Sequence, residues 1–498
     1  MQPTDMESHV NVGSRVNYSL SKSKEETFPA SASIDALPRA VLRHNANLLL
    51  DGDWSFSLDL HDRGLQESWH LGHHYQEKAP WPGSVEEHMK STNGKKAPRL
   101  EKVIVWYERE FPLPERENHS PKSMLQLTFG ACGYETRVWL NGFPLVTIEN
   151  ELIHHGEYTS FSYELDPVML KPANRLTVRI ADSMEADIPR GKQASHIYKR
   201  GGIWYQTYSG PVRSIWLEEI ERNRLRSRVS VVSIVEDRLV RFNLTLHIHD
   251  PGTYTVKLQV YLPGDPSEAP IATDHYTMAL EAGEKNQRLV LDIPEAQLWS
   301  YQHPQLYKLV ATLTDEEGYS SMIETHFGLR KIESRGCKIY LNNNPIYLDG
   351  ILYQPGASTY EEIKKHLHAI KKLGCNLVRI HIAGVDPRIY KLADKIGLML
   401  WVEVPSPHRS SQVSRINHRQ ELQRMLSLLE THPSIVIWSL YNEGWGAQDI
   451  ATNKETRQYI IDLYNYMRIN HPQFLVVDND GWNHISYQGR LKSDILTA

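Results

Sequence analysis

Ile435-Val-Ile-Trp-Ser-Leu-Tyr-Asn-Glu-Gly-Trp-Gly446 is the stretch on which the reading of this 498-residue chain turns. An apolar strand, residues 435–440, runs into Asn442-Glu443 and then into a glycine-rich loop that carries Trp445. Around it, strands alternate with helices. Ile363, Leu367, Ile370 and Leu373 recur at helical spacing across residues 360–373. Residues 376–380, 398–404 and 474–477 are predicted strands. Residues 387–396 and 415–429 are predicted helices, and 449–469 form a long one with Tyr459, Ile460, Leu463, Tyr464 and Met467 on one face. One strand before Tyr360 completes a set of five, and residues 494–496 open a sixth. Repeated βα units imply a parallel sheet covered by helices, in a (β/α)₈ barrel or a doubly wound sheet. Residues 328–498 fall short of the roughly 250 that a full barrel takes, so an incomplete barrel is expected.

The chain before Gly328 has another texture. Short, alternating, aromatic-rich runs at 103–106, 125–129, 136–140, 176–180, 214–217 and 253–261 are punctuated by Gly, Pro and Asn. That is the pattern of stacked β-sheets. Asn141-Gly142, after Arg137-Val-Trp-Leu140, is a hairpin signal. A boundary is expected near Glu219, ahead of the arginine-rich run 222–228. Residues 219–327 then have the length of one immunoglobulin-like sandwich. Residues 1–27 are polar and read as a flexible tail. The expected fold class is multidomain β plus α/β. It comprises a β-sandwich over 28–218, an immunoglobulin-like sandwich over 219–327, and the α/β region over 328–498.

Composition excludes several functions. Hydrophobic residues at 40% and charged residues at 23% are ordinary for a globular chain. A net charge of −5 gives no footprint for nucleic acid. No apolar run approaches the roughly 20 residues of a membrane helix. Neither nucleic acid nor membrane is an expected partner. Cys132, Cys337 and Cys375 lie far apart, without the spacing of a disulfide framework or a zinc site. With no apolar signal segment among the first residues, a cytoplasmic location is expected. The 24 histidines include the pairs His73-His74 and His154-His155, but no set combines with a carboxylate as metal ligands. No cofactor is expected, since neither a phosphate-cradling loop nor a dinucleotide fingerprint is present.

In a barrel, the C-terminal strand ends build the active-site face. Glu443 at such an end, flanked by tryptophans, would be partly desolvated, which raises a carboxyl pKa and suits a general acid. The competing reading is a glutamate that caps the following loop. Asn442 is placed to bond a substrate hydroxyl, and Trp445 offers a face on which a sugar ring stacks. Arg379 and His381 lie two apart on a strand and share a face. Arg379 either fixes a carboxylate or forms a structural ion pair, and His381 either joins the site or fills the core. Glu403 ends the third strand, where it is either a substrate-binding site carboxylate or a group that orients Arg379 or another polar group. Trp482 follows a strand end as a second sugar platform. Trp401 and Trp438 read as core. Asp349 and Asp478 are loop caps or ligands.

Trp438-Ser-Leu-x-Asn442-Glu443 resembles the acid/base motif of glycoside hydrolase family 2, which includes β-galactosidases, β-glucuronidases and β-mannosidases. Other segments agree in order: Asp51-Gly-Asp-Trp54, Trp81-Pro-Gly-Ser84, Val138-Trp-Leu-Asn-Gly142, Gly202-Ile-Trp204, Phe327-Gly-Leu-Arg330, Leu392-Ala-Asp394 and Asp480-Gly-Trp482. The resemblance implies a jelly-roll-like form for the first sandwich, an immunoglobulin-like domain and a (β/α)₈ TIM barrel, of which 328–498 is the N-terminal part, with retaining chemistry by two glutamates. By match, Glu443 is the acid/base and Asn442 contacts the sugar beside the scissile bond. The nucleophile comes from the seventh barrel strand, which is expected beyond Ala498. Two patterns differ. His381 sits one place earlier than in R-x-x-H-Y-P, and Gly350-Ile-Leu-Tyr-Gln354 stands where many members carry G-V-N-x-H. The expected function is an exo-acting retaining β-glycosidase acting on a carbohydrate substrate, compatible with a homo-oligomer. The alternative is a catalytically incomplete fragment or a carbohydrate-binding protein.

Overall fold

The computed structural model describes residues 47–93, 102–113, 120–205, 207–263, 269–355, 358–481, 485 and 493–497. The expected N-terminal tail and Trp482 lie outside the described residues. Within them the chain is β followed by α/β.

The first region pairs two antiparallel sheets. One has four strands, in the order Asn47–Leu49, Ile215–Glu221, Ser123–Phe129 and Phe161–Leu165. The other has seven and is centred on the long strands Lys102–Pro112 and Ala173–Ser183. Alternation along these strands sends Trp54, Trp81, Tyr107, Phe129 and Tyr163 into one shared core. The Asn141-Gly142 hairpin forms as expected, joining Glu135–Leu140 to Phe143–Pro144 with φ of +53° and +88°. The strand read as ending at Glu218 runs on to Glu221. The arginine-rich run after it leads into the strand Arg224–Ile234. Arg224 is buried because its guanidinium pairs with Glu164 of the first region and reaches the Glu221 and Arg222 carbonyls.

The second region again has two antiparallel sheets, of three and four strands, around Phe242, Val256, Leu258, Leu309 and Phe327. Its last strand, Ser320–Phe327, leads into Gly328-Leu-Arg330. The buried Arg330 guanidinium donates to the carbonyls of Pro433 (2.9 Å), Ile435 and Gln473. One side chain thus fixes this region to the base of the sheet that follows.

That sheet has five parallel strands in sequence order: β1 (Gly350–Tyr353), β2 (Leu377–Ile380), β3 (Met399–Glu403), β4 (Ile435–Ser439) and β5 (Leu475–Val477). Four helices connect them: α1 (Tyr360–Lys372), α2 (Pro387–Ile396), α3 (Gln412–Leu429) and α4 (Lys454–Asn470). Each begins at a side-chain cap. Thr359 and Glu362 make a capping box on α1, Asp386 with Pro387 starts α2, Ser411 with Ser414 starts α3, and Asn453 starts α4. Ile363, Leu367 and Ile370 are buried as the spacing predicts, but Leu373 is exposed. It is the C-cap, one residue past the face that packs. The helix expected from 449 starts at Lys454. The Asp449 carboxylate binds Ser410, Asn453 and Thr456, closing a turn in place of the first helical residues. No strand forms at 493–497, although Asp494 N–H donates to Val476 O (3.1 Å) beside β5.

Candidate active site

The C-terminal ends of β2 to β5 converge on one polar cluster. Arg379, in β2, is its hub. Its guanidinium binds Glu403 at the end of β3, Asn442 Oδ1 (3.0 Å) after β4, and Asp480 after β5. The same guanidinium lies over the Trp401 ring at 5.0 Å. His381 Nδ1 donates to the other oxygen of Glu403 (2.7 Å), and Ile382 N–H donates there too (2.9 Å). Arg379 and His381 therefore do share a face, and Glu403 orients both. Ile382 holds φ at +39°, a costly conformation for a β-branched residue that its surroundings impose.

Glu403 and Asp480 are both buried, and the cluster drives their proton affinities apart. Burial pushes the Glu403 carboxyl up, but the His381 hydrogen bond and the Arg379 charge outweigh it, so its pKa is lowered. Asp480 is pushed up to about 6 by burial and by the Glu403 charge, against the pull of Arg379.

Asn442 and Glu443 extend the β4–β5 ladder past both strands. Asp480 N–H donates to Tyr441 O (2.8 Å), and Glu443 N–H donates to Asp480 O (2.7 Å). Asn442 is buried, with its oxygen taken by Arg379 and its Nδ2 without a hydrogen-bond partner. Glu443 is half-buried, with φ at +51°. Among the described residues its carboxyl makes no hydrogen bond or ion pair. Its stem rests over Gly481, where a Cβ would lie 3.2 Å from Glu443 Cγ, so residue 481 leaves the carboxyl its place. Gly444 N–H is held by Asn479 Oδ1 (2.9 Å). The result is a free carboxyl beside a free amide donor, both on anchored backbone.

The first β region closes over this face. Trp445 is 9% exposed, with Trp204 against it at 4.7 Å between ring centroids and Lys192 Nζ at 5.4 Å. Tyr198 stacks on Trp204 at 4.2 Å. Trp438 and Trp401 pack in the core, as expected. Asp478 is a loop cap, accepting from Ile485 N–H (2.7 Å). Sequence reasoning missed Asp480, Lys192 and Asn479. The signals for them were an acidic run after β5 and the polar Arg190-Gly-Lys-Gln193 in an aromatic-rich region. Among the described residues, no three His, Cys, Asp or Glu side chains cluster to hold a metal ion. No described helix is long and apolar enough to cross a membrane.

Two further carboxyls are buried outside this cluster. Glu86 is pushed up to about 7 by burial, and Glu421, on α3, likewise to about 7 despite Arg424 and Arg213. A carboxyl whose folded pKa is raised stabilises fully below its unfolded value near 4.5 and loses that contribution as pH rises through 7. Stability to urea is therefore expected to fall between about pH 5 and pH 8. Glu421→Gln should flatten part of that slope. An unchanged slope in the variant would contradict this assignment.

Sequence models agree with the geometry. That of "Glycosyl hydrolases family 2" matches residues 224–330, and that of "Glycosyl hydrolases family 2, TIM barrel domain" matches 332–476, together half of the chain. Human β-glucuronidase is 24% identical over 438 residues, covering 79% of this chain and 63% of its own length. The Rattus norvegicus β-glucuronidase is 23% identical with the same coverage. The chain spans between 41% and 63% of the length of the first curated relatives it matches. Among solved structures, a β-glucuronidase from Ruminococcus gnavus in complex with D-glucuronic acid matches with a TM-score of 0.69. It is 21% identical and covers 87% of this chain and 72% of that one. The strand-end cluster and the two matches point the same way: the chain belongs to glycoside hydrolase family 2.

Proposed function

We propose that the protein is an exo-acting retaining β-glycosidase in which Glu443 protonates the leaving-group oxygen and later deprotonates water. The observation that carries this is the unpartnered Glu443 carboxyl beside the unpartnered Asn442 Nδ2 at the strand ends. Asn442 holds a sugar hydroxyl while Glu443 meets the glycosidic oxygen. Arg379 holds Asn442 by its Oδ1, which leaves Nδ2 the donor without a partner. Retention needs a second carboxyl about 5–5.5 Å away. Glu403 and Asp480 are engaged by Arg379 and are positioning groups here, not that nucleophile. The relatives named β-glucuronidases make aryl β-D-glucuronides the first substrates to try.

The test is turnover of a panel of aryl β-glycosides by the full-length protein, with the first-formed sugar anomer read by NMR. The β-anomer is expected. An α-anomer at first appearance, or no turnover across the panel, would overturn the reading.

A further inference from the structure

The strand Ser123–Phe129 of the first region alternates, as a strand must. Leu125, Leu127 and Phe129 enter the core, and Gln126 and Thr128 take the other face of the sheet. On a free sandwich that outer face would meet water. Here Gln126 is only 8% exposed, because the second region and α3 come down over it. They do not close on it. A cavity of about 460 Å³ remains, walled by this sheet, by Arg226–Arg228 and by the Gln420–Leu428 stretch of α3. That volume lies in the range of small-molecule sites.

The walls hold unused bonding capacity. Gln126 Nε2 donates to Thr128 Oγ1 (3.1 Å), Ser162 Oγ (3.4 Å) and Glu218 (3.3 Å), which fixes the amide, and its Oε1 accepts no hydrogen bond among the described residues. Thr159, 2% exposed, has no partner for Oγ1, and the buried His154 has none for Nε2. Polar groups buried in this way are costly unless something bonds them. The charges, by contrast, are balanced. Arg226, Arg228 and Arg424 face Glu149, Glu151 and Glu284, with Arg226 on Glu284 (2.9 Å) and Arg424 on Glu151 (3.3 Å). Burial holds the His154 pKa down at about 4, so the ring adds no charge at pH 7.

We infer that this cavity binds an uncharged saccharide, at a site that shares no residue with the cluster around Arg379 and Glu443. Amides and hydroxyls both donate and accept, as sugar hydroxyls do. Paired ions leave little net field to select a charged ligand. Ile148, Phe161 and Leu428 give apolar wall for the C–H face of a ring.

Calorimetric titration of the full chain with D-glucose, cellobiose and lactose tests this. It is done in the Asn442→Ala background, which disables the strand-end sugar site. At least one saccharide should bind with a dissociation constant of about 1 mM or tighter. Ser427 lines the cavity, and its Oγ bonds only the Gln423 carbonyl of its own helix (2.8 Å), so Ser427→Trp fills the space without breaking a contact to another element. Adding it should weaken binding at least about tenfold. If that variant fails to fold, Gln423→Trp, at an exposed position on the same wall, is the block. No binding by any of the three probes, or binding that either block leaves unchanged, would overturn the inference. Tighter binding of inorganic phosphate than of every saccharide, lost on the same block, would overturn the uncharged assignment.

Discussion

Glu443→Gln is expected to lower kcat on an alkyl β-glycoside by about 10²–10⁴-fold in the full-length protein, the range for losing one general acid. The substitution keeps size and polarity and removes only the transferable proton. The carboxyl makes no hydrogen bond or ion pair among the described residues, so no such contact is lost with its charge. Glu443 N–H donates to Asp480 O and the next N–H, of Gly444, donates to Asn479 Oδ1, and the variant retains both. The thermal midpoint should therefore change little while turnover collapses. Turnover near the parent rate would remove Glu443 from the mechanism, and a large drop in midpoint would return it to the role of a loop cap.

Arg379→Met should cost about 3–5 kcal/mol of stability at pH 7, because it leaves Glu403 buried and ionised with one partner fewer. It also frees Asp480 and Asn442 from the position the site requires. At pH 5 more of the Asp480 population carries a proton, so the uncompensated charge is smaller and the loss should shrink. Urea-unfolding midpoints of the two proteins at both pH values give the comparison. A loss below about 1 kcal/mol, the worth of an exposed ion pair, would mean that Arg379 is not the hub of this cluster.

Much of this site was legible in the sequence. Glu443 and Asn442 stand at the end of an apolar strand inside a βα alternation, which fixes them on one face. The i, i+2 spacing of Arg379 and His381 and the position of Glu403 at a strand end are backbone facts that side-chain periodicity reports. Asp480 was harder. Asp478 and Asp480 look alike as an acidic pair after a strand, yet Asp478 caps a loop and Asp480 pairs with Arg379. The choice is made by the extension of the β4–β5 ladder through Asn442 and Asp480, which is a tertiary event. Lys192 was out of reach for the same reason. Its loop belongs to a different fold region, and its place beside Trp445 depends on the approach of Gly191 to Ile382 O. The late start of α4 shows local chemistry overriding periodicity, since Asp449 draws the preceding residues into a turn.

The central claim is that Glu443 donates the proton to the departing oxygen. The most direct test compares the dependence of kcat/KM on leaving-group pKa, across a series of aryl β-glycosides, for the full-length protein and its Glu443→Gln variant. Protonation by Glu443 should make the dependence shallow in the wild type and steep in the variant, with the two rates converging for the most acidic leaving groups. Equal slopes in the two proteins would contradict the account.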